Sequence, residues 1–198
     1  MRLINRPRYL SHVRDMGRDA AQDPMCAPVV LRVRALPNDR TRGRLVCGKL
    51  NVPCALGRGG LTHGKREGDG ATPVGCFRLL SVFYRSDRDM RPRTALPIRA
   101  LRSDDGWCDD PADGRYNRPV RLPFAGSHEI MCREDRLYDI VVVLDCNLRP
   151  RVCGRGSAIF FHVAREGFPP TEGCVAVAPD VMRRLLAMVG RDAVMSIG

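Results

Sequence analysis

The chain has 198 residues, 44% of them hydrophobic, and a formal net charge of +11, which is enough for one domain with its own core. No run of about 18 apolar residues occurs, so no transmembrane segment is expected, and the Arg-rich stretch 1–23 contains no apolar core of a signal peptide. The nine Cys form no C-x-x-C pair and no zinc-like Cys/His spacing, and the Arg are spread from Arg2 to Arg191 with no interleaved aromatics; neither a structural metal nor specific nucleic-acid binding is expected.

In chain order, residues 1–27 are polar and Arg-rich and predict an irregular arm, followed by a single domain over 28–198. Val29–Arg34 alternates apolar residues with Arg and predicts a first strand; Arg44–Val52 predicts a second. Leu56–Gly75 is a Gly-rich connection. Within it, Gly59 to Lys65 resembles a phosphate-binding loop, yet Arg66 stands where a Ser or Thr would hold Mg²⁺. Gly68, Gly70 and Pro73 also exclude the helix that would present its amides, so nucleotide binding is not expected. Val74–Tyr84 predicts a long strand, and residues 85–126, rich in Pro, Asp, Gly and Arg, predict loops with short elements. Tyr138–Leu144 is continuously apolar and predicts a strand buried on both faces, with Ala158–Val163 and Cys174–Ala178 after it. Pro179–Val189 predicts the one helix. Pro sits in its first turn, Asp180 complements the dipole, Val181, Met182, Leu185, Leu186 and Val189 form one face, and Gly190 stops it. Ala193–Ile197 predicts a closing strand. The expected class is mainly β with one C-terminal helix and long loops.

The chemistry concentrates near the C-terminal end. His162 ends an apolar strand, and Cys174 opens the next one behind Gly173. A free thiol with a pKa of roughly 8.5 needs a base at neutral pH, and an adjacent His can take the proton and return it to a leaving amine. Gly173 lets backbone approach a substrate, so the N–H groups of Gly173 and Cys174 are the expected oxyanion donors. Spacing alone is also met by a core Cys beside a hydrogen-bonded His, and that plainer explanation is the readier one until more of the chain is considered. His63 and His128 are expected in solvated loops, and Asp69 and Asp139 as isolated carboxylates that face water or cap turns. Trp107 is expected to anchor the loop region.

Two separated segments shift the balance. Lys65-Arg-Glu-Gly-Asp-Gly-Ala-Thr-Pro-Val-Gly-Cys-Phe77 resembles the K-x-x-G-D-x-x-T-P-x-G-x-F segment of the L,D-transpeptidases, the YkuD catalytic-domain family, and His162 to Cys174 resembles that family's active-site signature. The stretch from Trp107 through Tyr116-Asn117 and Ser127 to Arg133–Asp139 is similar to a proteobacterial branch. The resemblance implies a YkuD-like β-sheet or sandwich domain with Cys174 as nucleophile and His162 as base. It implies that the third member of the triad is a backbone carbonyl at the position of Val163. It further implies substrate roles for Thr171, Glu172, Arg165, Tyr116, Asn117 and Arg133. Tyr138 fits core packing equally well. Glu172 replaces the second His of the usual [ST]-H-G-C, giving T-E-G-C; a carboxylate there is expected either to pair with a cation such as Arg165 or to contact substrate. The implied partners are peptidoglycan stem peptides and carbapenem-type inhibitors, and no metal or organic cofactor is expected because thioester acyl transfer uses side chains alone. The implied place is the cell envelope or periplasm, whereas the many unpaired thiols fit a reducing compartment such as the cytoplasm. At this stage a thiol hydrolase on the same fold, an Arg-rich nucleic-acid-binding protein and an inactive wall-binding module stay open beside the crosslinking enzyme.

Overall fold

The structure, a computed structural model, describes residues 29–198; the expected arm over 1–27 lies outside the described residues. In chain order the strands are β1 (Val30–Leu36), β2 (Asp39–Cys47), β3 (Leu50–Ala55), β4 (Leu61–Thr62), β5 (Thr72–Pro73), β6 (Gly75–Tyr84), β7 (Ile98–Ala100), β8 (Asp105–Cys108), β9 (Arg118–Arg121), β10 (His128–Ile130), β11 (Ile140–Leu144), β12 (Phe160–Val163) and β13 (Val175–Val177). Helix α1 (Pro179–Met188) and β14 (Val194–Ile197) close the chain. The mainly β class with one C-terminal helix is as the sequence predicts.

Most expected strand ends shift by one or two residues, and two further differences have a plain structural cause. The single strand expected over Arg44–Val52 is the two arms of a hairpin, β2 and β3, paired Cys47 to Leu50. Gly48, at φ 56°, occupies the first central position of that two-residue turn, where II′ hairpin turns place Gly. The helix ends at Met188, one residue early, because Val189 already has extended backbone (φ −82°, ψ 134°) while its N–H still bonds the Leu185 carbonyl.

The large sheet runs β11-β12-β13-β3-β2-β1-β14-β6-β7 and closes on itself through a β6–β11 pairing. Closure is possible because β6 is long: Gly75–Arg78 pair with β14, whereas its second half pairs with β7 on one side and β11 on the other. Alternation along β11 then serves two cores. Ile140, Val142 and Leu144 join the larger one, together with Leu31, Val33, Leu45, Phe161, Val175 and the buried face of α1 (Val181, Met182, Leu185, Leu186). Val141 and Val143 face the other way, into a smaller core with Trp107, Met131, Tyr138, Phe160 and Cys174. That second face is covered by the three-stranded sheet β10-β8-β9, built from the loop-rich region. Both faces of β11 are therefore buried, which explains its unbroken apolar sequence. The site lies in the second layer, between the closed sheet and the small one.

Candidate active site

β12 and β13 are parallel neighbours, with His162 opposite Ala176. Continuing the register one step before β13 puts Cys174 level with Phe160, two positions from His162 and on the same face. Their side chains open into one cavity of about 390 Å³, lined also by Glu67, Asp109, Glu129, Arg133, Tyr138 and Glu172. Both residues are nearly sealed by protein, His162 at 4% exposure and Cys174 at 7%.

His162 Nδ1 lies 2.8 Å from the Val163 carbonyl. A carbonyl only accepts, so Nδ1 carries the proton and Nε2 is left as the base. The ring is braced edge-on by Tyr138 at 5.4 Å. Burial holds the imidazole pKa down at about 4, against a weaker upward pull from the Val163 carbonyl. The same burial pushes the Cys174 thiol up to about 12, with the Phe160 N–H as the chief opposing contact. The resting pair is thus neutral thiol and neutral imidazole.

The thiol does not yet point its proton at the imidazole. Cys174 Sγ donates to the Ala158 carbonyl and accepts the Phe160 N–H, each at 3.3 Å. Neither of these bonds involves His162, so the Cys–His hydrogen bond that a base role calls for is not formed in this arrangement. The oxyanion expectation needs a correction of the same kind. The Gly173 N–H donates to Thr171 Oγ1 at 3.2 Å, and that hydroxyl donates in turn to the Cys174 carbonyl at 2.7 Å. Thr171 thus locks the Gly173-Cys174 turn, and the Gly173 amide expected as an oxyanion donor is already engaged by Thr171. Gly is required here: φ is +127°, and a Cβ would sit 2.8 Å from the Ala71 carbonyl oxygen.

Two expected groove residues lie behind the wall instead. Tyr116 is fully buried and its hydroxyl donates to the Glu67 carboxylate. Asn117 is buried with every polar atom used: its Oδ1 accepts from Trp107 Nε1 at 2.9 Å and the Ala158 N–H at 3.2 Å, and its Nδ2 donates to the Cys146 and Asn147 carbonyls. Neither side chain reaches the cavity. Asn117 instead holds the segment whose carbonyl receives the Cys174 proton, and it fixes Trp107 in the structural role expected of it. Arg133 and Arg165 do line the cavity, but both are committed to Asp135, and Arg133 also to Glu129. Glu172 pairs with Arg58 at 3.0 Å and not with Arg165. With its side chain 76% exposed at the rim, Glu172 places its charge in water and leaves the buried thiol little burdened.

The sequence reading passed over Glu67 and Glu129, which line the cavity from the Gly-rich loop and from β10. Glu67 Oε2 takes hydrogen bonds from Tyr116 and Ser157, and Glu129 Oε1 from Arg133 and Tyr138, so each carboxylate is oriented. No spacing signal ties either residue to His162 or Cys174. Of the remaining candidates, His63 is exposed, His128 bonds the Gly126 carbonyl, Asp139 pairs with Arg88 and Asp69 with Lys65.

A buried Cys and His sharing a face and a cavity, with the imidazole tautomer set by backbone, make up the components of a thiol acyl-transfer site. The chain belongs to the YkuD family, the L,D-transpeptidase catalytic domain, whose family model matches residues 34–197. Among solved structures it is similar to L,D-transpeptidase 1 of Mycobacterium tuberculosis, at 13% identity and a TM-score of 0.35, over 85% of this chain and 62% of that one. No curated protein matches the chain. Among the described residues no helix is long and apolar enough to cross a membrane.

Proposed function

We propose that this protein is a peptidoglycan L,D-transpeptidase that crosslinks stem peptides through a Cys174 thioester. The observation that carries the reading is the shared cavity of Cys174 and His162, in which Nδ1–H is held by backbone and Nε2 is free to act. As Cys174 Sγ attacks the donor carbonyl, its proton passes to Nε2, so the thiol never needs a standing thiolate. Nε2–H then protonates the departing D-Ala nitrogen as the C–N bond breaks and the thioester forms. An amine of a second stem attacks the thioester, gives its proton to Nε2 and expels the sulfur, which takes the proton back. Glu67, Glu129 and Glu172 around the cavity suit substrates that carry an ammonium group. The place of action on this reading is the cell envelope, where the substrate is.

Intact-protein mass spectrometry after incubation with purified muropeptides is the test. A mass increase equal to a stem peptide minus D-Ala, followed by crosslinked dimers, is expected. Release of D-Ala with no dimer at any acceptor concentration would mean a hydrolase, and no adduct would remove the acyl-transfer reading altogether.

A further prediction concerns Glu172. At the exposed rim Glu172 holds Arg58, and on this reading an acceptor or donor ammonium takes the place of that guanidinium. Glu172→Gln is expected to reduce turnover of amine-bearing stems about tenfold, while acylation of Cys174 by a small electrophile changes less than twofold. Equal losses in the two assays would assign Glu172 to the thiol itself.

A further inference from the structure

Lys65 and Lys49 are the only lysines among 33 basic residues, and Lys65 is the one turned inward, its side chain 10% exposed. Its stem runs along Gly156, where an added Cβ would lie 2.8 Å from Cγ and 2.9 Å from Cε. Its ammonium lies under the nucleophile turn: a Cβ on Gly173 would be 3.3 Å from Nζ. Gly156 stands two residues before Ala158, the acceptor of the Cys174 proton, and Gly173 directly before Cys174 itself. Lys65 therefore stands between the two backbone segments that hold the sulfur, while remaining outside the cavity lining.

Asp69 holds that ammonium and has no spare freedom. Its carboxylate pairs with Lys65 and accepts the Ala71 N–H at 2.9 Å and the Arg66 N–H at 2.8 Å. The loop so fixed is tied to both segments, by the Glu67 N–H to the Gly154 carbonyl at 2.9 Å and by Thr72, whose hydroxyl lies 3.5 Å from the Cys174 carbonyl. Although burial works against the ionised form, hydrogen bonds from Lys65, Ala71 and Arg66 keep the Asp69 carboxyl below its ordinary range.

We propose that Lys65, aimed by Asp69, is a positioning residue for the Cys174 thiol that supplies, from behind the turn, the positive charge favouring sulfur as its proton leaves. The inference rests on Cys174 being the nucleophile of the proposed function. Its charge acts in a mixed field: Glu129 and, when ionised, Tyr138 and Cys146 oppose a thiolate, and His162 offers a neutral ring. Arg133 and Arg165 line the same cavity but are paired with Glu129 and Asp135, whereas Lys65 lies behind the nucleophile turn and favours the charged sulfur, so its removal strengthens the hold of the negative neighbours. Because the Lys65–Asp69 pair is nearly neutral as a whole, changing either partner shifts the field at sulfur in opposite senses.

That opposition separates the proposal from a merely structural strut. The measurement is the rate of Cys174 carbamidomethylation by iodoacetamide against pH, read by peptide mapping, in which the S–C bond forms, iodide leaves and the thiol proton goes to base. Lys65→Met is expected to move the pH profile up by about one unit, a loss of roughly tenfold at pH 8, and Asp69→Asn to move it down, with a faster reaction at the same pH. Thermal melts establish that each variant is folded; if Lys65→Met fails to fold, the direction of the Asp69→Asn shift still decides. Shifts of the same sign in both variants, or none in either, would overturn the proposal. The assay needs no muropeptide, so an enzyme that alkylates as expected but forms no stem-peptide adduct would sink the transpeptidase reading while leaving the role of Lys65 standing.

Discussion

Cys174→Ala is expected to lose all stem-peptide turnover, at least about 10³-fold, because no neighbouring group can form the thioester. Cys146 belongs to the other core and cannot substitute, and Ser157 is tied to Glu67. The substitution also removes the acceptor of the Phe160 N–H, and an unsatisfied buried amide costs about 1–2 kcal/mol. A fall of a few degrees in Tm should accompany the loss of activity. Cys174→Ser retains a donor to the Ala158 carbonyl and an acceptor for Phe160, so it should restore most of the stability and none of the turnover. Activity of more than a few per cent in either variant would show that the nucleophile is wrongly assigned.

His162→Asn is expected to slow carbapenem acylation of Cys174 by about 10²–10⁴-fold near neutral pH, the usual worth of a general base. Asn is chosen because its Nδ2 can replace Nδ1 as donor to the Val163 carbonyl, keeping the local structure while removing Nε2. Peptide mapping of the adduct is essential, since Cys76 and Cys153 are exposed and will compete for any electrophile. The same residue makes a separate claim about pH. Its folded pKa of about 4 lies below the ordinary 6.5, so the unfolded chain binds this proton first as pH falls. The His162 contribution is complete above pH 6.5 and is lost as pH drops toward 4, a loss on the order of 3 kcal/mol. Urea titrations between pH 7 and 4 should show that slope in the native protein and a reduced one in His162→Asn. An unchanged slope would mean that the imidazole is not held neutral by burial.

Carboxylates make the counterpart of that argument. Because Glu67, Glu129 and Glu172 come from three separate parts of the chain, no local pattern joins them, and only the packing of β10 and the Gly-rich loop over β12 collects them around one cavity.

Local patterns determined the elements. The unbroken apolar run 140–144 could only be a strand covered on both sides, the 179–188 stripe with Pro at its start could only be an amphipathic helix, and a His ending one strand with a Gly-Cys opening the next brought the two reactive groups onto one face. These are properties of neighbours in sequence, where side-chain period and backbone restrictions act directly. The hairpin at Gly48 is written only as a slip of phase, the inward positions passing from odd (Leu45, Cys47) to even (Leu50, Val52) across Gly48-Lys49, and so short a slip inside an otherwise strand-like run is easily read through. Tertiary structure alone decided which groups face the cavity. Tyr116 and Asn117 read as polar groove residues, yet the small sheet folds them behind the wall, where unpaired polar atoms would be costly and are all satisfied internally. Likewise, Glu172 found Arg58 and not the nearer-in-sequence Arg165, and Lys65 came to lie under Gly173 from more than a hundred residues away. Charge pairing of this kind depends on where the sheet closes, and closure is set by the sum of long-range strand pairings, which no short segment encodes.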